Sequence, residues 1–248
     1  MTTKISHLHY EKVHSTQNLL KSQLLDQKSS IEKEEVVQNI LISTSNQSNG
    51  VGRHGNKWDR FKNSLAFSFT IKTDPTKNLP TLPLELSAYL AEWLNLKTGK
   101  KLKVKWPNDI LTVNGEKCGG ILCHYINPKI IIAGIGLNYG PINFESNNLY
   151  KTKPGFISDK IELSENDKKN LPLDFYKFFL ERYPSKENKL ASWEKLCIHM
   201  NKSVKISHSE NSFKEGIFKG IGSNGEAILE LENKRQEKFM SGSLNIIS

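Results

Sequence analysis

The chain has 248 residues, 37% hydrophobic and 25% charged, and Lys+Arg 35 against Asp+Glu 26 leaves a net charge of +9. That length suits one large domain or a medium domain with a small partner, and large apolar residues come in clear runs, which excludes a disordered chain. No run approaches the roughly 18 apolar residues of a membrane helix, the N-terminal stretch has no apolar signal core, and three scattered cysteines (Cys118, Cys123, Cys197) give neither a disulfide framework nor a zinc spacing and fit a reducing cytoplasm.

The first predicted element is a short helix over Ser15–Leu25, capped by Ser15 or Thr16 and striped by Leu19, Leu20 and Leu24. VVQNILIS, Val36 to Ser43, reads as a strand. A polar, glycine-bearing stretch follows from Thr44 to Asn63. SLAFSFTI then alternates Leu65, Phe67, Phe69 and Ile71, the pattern of a half-buried strand. Leu82–Leu96 reads as a helix with Pro83 in its first turn. Next come the strands LKVKW, DILTV, EKCGGILCHYI and KIIIAGIGLN, separated by turns at Asn114-Gly115 and Asn127-Pro128. Strands joined by such short turns run antiparallel. The expected class is therefore α+β with a mixed or antiparallel sheet and flanking helices. Residues 141–160 are polar and read as a surface loop. Helices resume over Leu173–Arg182 and Leu190–Met200. After Met200 come five short strands with turns at Ser223-Asn224-Gly225 and Glu232-Asn233, as in a small SH3-like barrel. The expected division is 1–200 and 201–248.

Positive charge is dispersed along the chain. Its densest cluster, Lys97, Lys100, Lys101, Lys103 and Lys105, reads as a solvated turn and strand edge rather than a phosphate track. A basic surface also attracts an acidic protein partner.

Four segments carry chemistry. Gly50-Val51-Gly52-Arg53-His54-Gly55 is a literal GxGxxG after a strand, but no amphipathic helix follows it, so it is no dinucleotide fingerprint. It remains either an ordinary turn or a loop whose amides, with Arg53 and Lys57, approach an anion. KWPND, Lys105 to Asp109, precedes Lys117 across the Asn114-Gly115 turn, so the two arms place Asp109 near Lys117. Gly119-Gly120 inside the second arm weakens a strand unless something lies close to its backbone. Gly134 and Gly136 are either bulge positions or a surface for a flat ring, and Asn138 beyond them could read a base edge. Ser15, Thr16 and Gln17 cap a helix or bind a polar ring.

Together these segments resemble the biotin protein ligases, over almost the whole chain. STQ resembles that family's STN, GVGRHGNKW its GRGRxGRxW, KCGGIL its KxGGIL and GIGLN its GIGIN, while KWPNDI matches outright. The resemblance implies a class II synthetase-like core followed by an SH3-like domain. It implies a ligase that uses ATP with Mg²⁺ to make biotinyl-5′-AMP, then transfers biotin to a lysine of a biotin carboxyl carrier domain. By the same resemblance, Lys117, Arg53 and Asp109 are the catalytic candidates. Biotin falls to Ser15, Thr16, Gln17, Gln47, Gly50, Val51, Gly52, Arg53, Lys117, Gly119 and Gly120. ATP falls to Arg53, Lys57, Trp58, Asn108, Lys117 and Asn138. No protein metal cage is expected. Val51 and Asn56 replace two loop arginines of the family, which throws the phosphate grip onto Arg53 and Lys57. The first motif begins at Ser15, leaving too little chain before it for a helix-turn-helix, so no DNA partner is expected. A homodimer is compatible with the resemblance.

Two rivals stand beside this. A lipoate ligase shares the fold, but no arginine-rich SGGG segment is present. A basic nucleic-acid-binding module would need interleaved aromatic and basic residues, and these are missing.

Overall fold

The computed structural model describes residues 4–26, 39–55, 57–58, 61–74, 79–142, 152–159, 162–184, 188–209 and 212–247. The start of the strand expected at Val36, and Asn56, lie outside these residues, as do the side chains of His54 and Lys57. The fold is α+β. It divides into two compact units, residues 1–77 with 116–184, and residues 78–115 with 185–248. No helix among the described residues is long and apolar enough to cross a membrane.

The first unit is built on strands β1 (Ile5–Val13), β2 (Asn39–Gln47), β5 (Ser64–Lys72), β8 (Lys117–Asn127) and β9 (Ile130–Asn138), in the order β1-β2-β5-β9-β8. β1 and β2 are parallel, and the other neighbours are antiparallel. Helix α1 (Thr16–Asp26) covers one face. There Leu20 and Leu24 pack on Ile40, Ile42, Ile130 and Ile132. The opposite face carries Phe67 and Phe69, which meet Phe175, Tyr176 and Phe179 of helix α3 (Glu165–Arg182) at ring separations of 4.6 to 6.1 Å. The alternation read in SLAFSFTI is this second face.

Two departures from expectation have physical reasons. Helix α3 begins at Glu165 rather than Leu173. A capping box of Ser164 and Asp167 starts it, and Pro172 is accommodated inside it, buried. Strand β1 was not anticipated, because its two faces, His7 and His9 against Leu8 and Tyr10, give a weak hydrophobic alternation. It sits at the sheet edge.

The second unit pairs β6 (Lys103–Lys105) with β7 (Asp109–Leu111) around the Trp106-Pro107 cis peptide. Helices α2 (Leu82–Thr98) and α4 (Lys189–Leu196) pack together, with Lys189 Nζ 2.9 Å from Glu92 Oε2. Strands β10 (Ser203–Ser209), β11 (Ser212–Ile221), β12 (Ala227–Glu230), β13 (Gln236–Phe239) and β14 (Ser243–Ile246) form a small antiparallel sheet in the order β13-β12-β11-β10-β14. The expected turn at Gly225 is present, with φ 81°. The Trp106 indole donates to the Gly225 carbonyl at 3.1 Å, which ties the KWPND turn to the turn between β11 and β12.

The α3 face of β1 and β2 holds a directed polar chain. Ser45 donates to Glu165, so it accepts from His9 Nε2 at 3.1 Å. His9 Nδ1 then accepts from Ser43 at 2.8 Å, and Ser43 accepts from His7 Nε2 at 2.8 Å. This direction holds with both imidazoles neutral. Burial first, then His9 and Lys169, lower His7 from 6.5 to about 4. Burial also lowers His9, against an opposing pull from Glu165, with Lys169 and Lys168 lowering it further. Such groups stabilise the fold above their unfolded pKa, and the contribution is lost as pH falls towards the folded value. Unfolding free energy should therefore fall between pH 6.5 and about 4. His199, buried and lowered to about 3, adds a parallel slope in the second unit. His7→Gln should flatten the dependence without abolishing it, as read by urea midpoints at pH 7 and pH 5. An identical slope in the variant would refute the role of this chain.

Candidate active site

Past the N-terminus of α1, the helix-covered face of the sheet loses its large side chains. Register puts Ala66 opposite Gly136 and Gly136 opposite Gly120, so three positions with nothing beyond a Cβ form one row across β5, β9 and β8. One step nearer α1 the row is Ser68, Gly134 and Leu122. Successive strand residues point to opposite faces. Gly119, opposite Leu137, therefore faces away from this row, and of the Gly119-Gly120 pair only Gly120 belongs to the floor.

Two flat groups of the protein lie on this floor. A Cβ on Gly136 would sit 2.6 Å from Trp58 Cε2, and one on Gly120 would be 3.3 Å from Trp58 Cζ3. The indole is thus half-buried against the two glycines. The amide of Gln17 lies over Gly134, its Nε2 donating to Leu122 O at 2.8 Å. A flat group on Gly134 and Gly136 was one of the two readings of that strand. Both groups come from the chain itself.

Around the floor stand the polar candidates. Ser15 Oγ accepts from Asn18 N at 3.3 Å and so caps α1. Thr16 N donates to Gln47 Oε1 at 2.9 Å, and Thr16 Oγ1 lies 3.2 Å from the same oxygen and 2.8 Å from Ser68 Oγ. Gln47 ends β2, which stops beside a short ribbon, β3 (Gly50–Val51) with β4 (Lys57–Trp58). Position 50 is tight: a Cβ there would be 2.7 Å from Gln47 Nε2 and 3.0 Å from Trp58 Cβ, so both would have to shift. Val51 is exposed, and Arg53 opens a single 3-10 turn, half-buried. A small cavity between Trp58 and the sheet is lined by Thr44, Ser45, Gln47, Phe61, Ser64 and Ala66.

Lys117 enters from the start of β8. Its Nζ is 3.8 Å from where a Gly120 Cβ would stand and 5.7 Å from the Trp58 ring centroid. Its backbone is clasped by the segment 152–159, expected only as a surface loop. Lys117 N donates to Lys153 O at 2.7 Å, and Gly155 N donates to Lys117 O at 2.8 Å. Asn138 joins the clasp, with Nδ2 3.1 Å from Gly155 O and Oδ1 accepting from Ser64 at 3.5 Å. Its amide therefore holds backbone in this conformation and does not project to read a base. Asn108 and Asp109 belong to the second unit. There Asp109 is buried, 3.6 Å from the equally buried Lys105. Among the described residues, no group of three or more His, Cys, Asp or Glu could hold a metal ion. Ala66, Ser64 and Ser68 escaped the sequence reading. Their signal was the small half of the alternation whose large half defined the strand.

Residues 13–138 match the model of the biotin/lipoate A/B protein ligase family. The chain belongs to that family. The match spans β1's last residue to β9's last, and so contains the floor, the ribbon and Lys117. A biotin–protein ligase of Arabidopsis thaliana is 37% identical over 101 residues, covering 37% of this chain and 30% of that protein. The chain thus spans under a third of that relative's length. The bifunctional ligase/repressor BirA of Escherichia coli is 26% identical over 211 residues, 82% of this chain and 64% of its own. Among solved structures, a biotin protein ligase from Aquifex aeolicus in complex with biotin and ATP superposes with a TM-score of 0.73 at 23% identity, over 97% of this chain and 99% of that one. The Leishmania major biotin protein ligase with biotinyl-5-AMP gives 0.62 at 17%, over 94% and 98%. At these identities the structures establish the shared fold.

The family member's floor is open to a direct test. In Gly136→Val, a branched side chain would occupy the place of the Trp58 indole, since even a Cβ would be 2.6 Å from it. The Trp58 contribution to tryptophan fluorescence, obtained as the difference from Trp58→Phe in each background, should shift to longer wavelength as the ring moves into water. An unshifted difference spectrum would show that the ring does not rest on Gly136.

Proposed function

We propose that this chain is a biotin–protein ligase. A biotin carboxylate oxygen attacks the α-phosphate of ATP and pyrophosphate leaves. A lysine amine of a biotin carboxyl carrier domain then attacks the acyl carbon, AMP leaves with the bonding pair, and the amine loses a proton. The observation that carries this reading is the Thr16–Gln47 pair, a backbone donor facing a side-chain acceptor at 2.9 Å. A cyclic urea has the complement, a C=O beside an N–H on one edge of a ring. Inserted between them, it exchanges one hydrogen bond for two. The dithiolane of lipoate has neither group, so this pair favours biotin within the family.

In this reading the bicycle takes the place of Trp58 on Ala66, Gly136 and Gly120, with Ser15 at the mouth of the urea site. The carboxylate end runs towards Lys117. Two anions must meet there, and a fixed cation offsets their repulsion most in the transition state. The half-buried Arg53 and the ribbon amides of Gly50–Gly52 supply further positive potential. Lys57, Trp58, Asn108 and Asn138 are assigned to ATP, and Asn138 would exchange its bond to Gly155 O to do so. Mg²⁺ would be held chiefly by phosphate oxygens and water, as is usual for this ion. Asp109 orients the KWPND segment through Lys105. We assign residues 1–200 to catalysis and 201–248 to an SH3-like part, and we place the reaction in the cytoplasm, with an acidic carrier as the partner for the basic surface.

Biotin-dependent ATP–pyrophosphate exchange tests the reading. Lys117→Ala should lower it by roughly 10²–10³-fold with an unchanged thermal transition. Lipoate-dependent exchange by the parent protein would favour the lipoate reading instead. Near-normal exchange in Lys117→Ala would remove the lysine from the chemistry.

A further inference from the structure

The floor has two rows, about 6.6 Å apart along the strands, and the groups covering them are held very differently. Trp58 covers the row Ala66–Gly136–Gly120 from a two-residue strand in a ribbon outside the main sheet. Gln17 covers the row Ser68–Gly134–Leu122 from the first turn of α1. Its Cδ, Nε2 and Oε1 lie 3.1, 3.1 and 3.3 Å from the place of a Gly134 Cβ, so the amide plane lies flat on that glycine. Its Nε2 is bonded to the backbone of β8 at 2.8 Å, and the side chain is buried at 7% exposure. Its neighbour Thr16 is fixed in turn by Gln47 and Ser68. A ligand ring that displaces Trp58 gains one row and meets Gln17 at the next.

We infer that Gln17 is the specificity-determining end wall of the site, limiting how far a ligand's ring system can extend beyond its urea edge. This rests on the biotin reading above, because it is the Thr16–Gln47 pair that sets the urea edge beside Gln17. Gly134 is the reason the wall can be flat. A Cβ there would stand 3.1 Å from the amide carbon and nitrogen, so the amide would have to shift off its present position by a few tenths of an ångström. The wall excludes substituents on the ureido nitrogens, which would project onto the second row. It leaves the opposite end of the ligand, towards Lys117, unrestricted.

Equilibrium binding of biotin and of the two mono-N-methylbiotins to the full chain tests this. One methyl group in a tight pocket changes affinity by roughly 10–200-fold. The parent protein should favour biotin over the better-bound methylbiotin by more than about tenfold. Gln17→Ala should narrow that ratio by at least about tenfold. Gln17→Met, of similar length but unable to bond Leu122 O, should preserve it. The ratio is taken within one protein, so partial loss of folded material cancels. An unchanged ratio in Gln17→Ala, or equal narrowing in Gln17→Met, would overturn the wall. If the parent binds methylbiotin as well as biotin, the wall falls and the biotin reading stands. If it binds no biotin at all, both fall.

Discussion

The site depends on the absence of side chains along one line of the sheet. Glycine in a strand costs roughly 0.5–1 kcal/mol relative to alanine. Here the cost falls where a Cβ would stand within 2.6 Å of an aromatic ring. The line exists only while β5, β9 and β8 keep register, because a slip of one residue would bring Phe67 or Ile135 onto the floor. The unbroken pairing from Ser64–Asn138 to Lys72–Ile130 guards against that slip. The aromatic packing beneath it, Phe69 against Phe175, Tyr176 and Phe179, fixes which face is which. The floor of the candidate site is thus secured by hydrophobic burial on its reverse side.

The same economy of position governs the charged end. Lys117 is the first residue of β8, and the segment 152–159 bonds both its N–H and its carbonyl. Asn138, the last residue of β9, ties that segment down from the next strand. A lysine side chain with many rotamers is therefore launched from a backbone held on both sides, so the entropy lost on placing the ammonium is confined to the side chain.

Much of this was readable in the sequence where a signal repeats. The alternation of β5, the Asn-Gly and Asn-Pro turns, the helix from Leu82 and the five short C-terminal strands all follow from period and turn chemistry. The edge strand β1 did not follow, because histidines replace its apolar face and their partners, Ser43 and Ser45, are far away in sequence. The first two turns of α3 were hidden behind Pro172, whose penalty is a local rule that burial overrides. In the site, glycines and cations could be named, since their chemistry is intrinsic. Their orientation could not. Whether Gly119 or Gly120 faces the floor, and whether Gln17 points at a ligand or at Leu122, depends on registers that a single sequence does not carry.

The second unit is discontinuous along the chain, and this orders its assembly in time. Trp106 finds its acceptor 119 residues later, at Gly225. At ribosomal speeds of about 5–20 residues per second, that interval is on the order of ten seconds. Throughout it the KWPND turn has its own short ribbon, but the Trp106 indole N–H lacks the acceptor it has in the folded protein. The motif thus receives its last hydrogen bond only once residue 225 has been made.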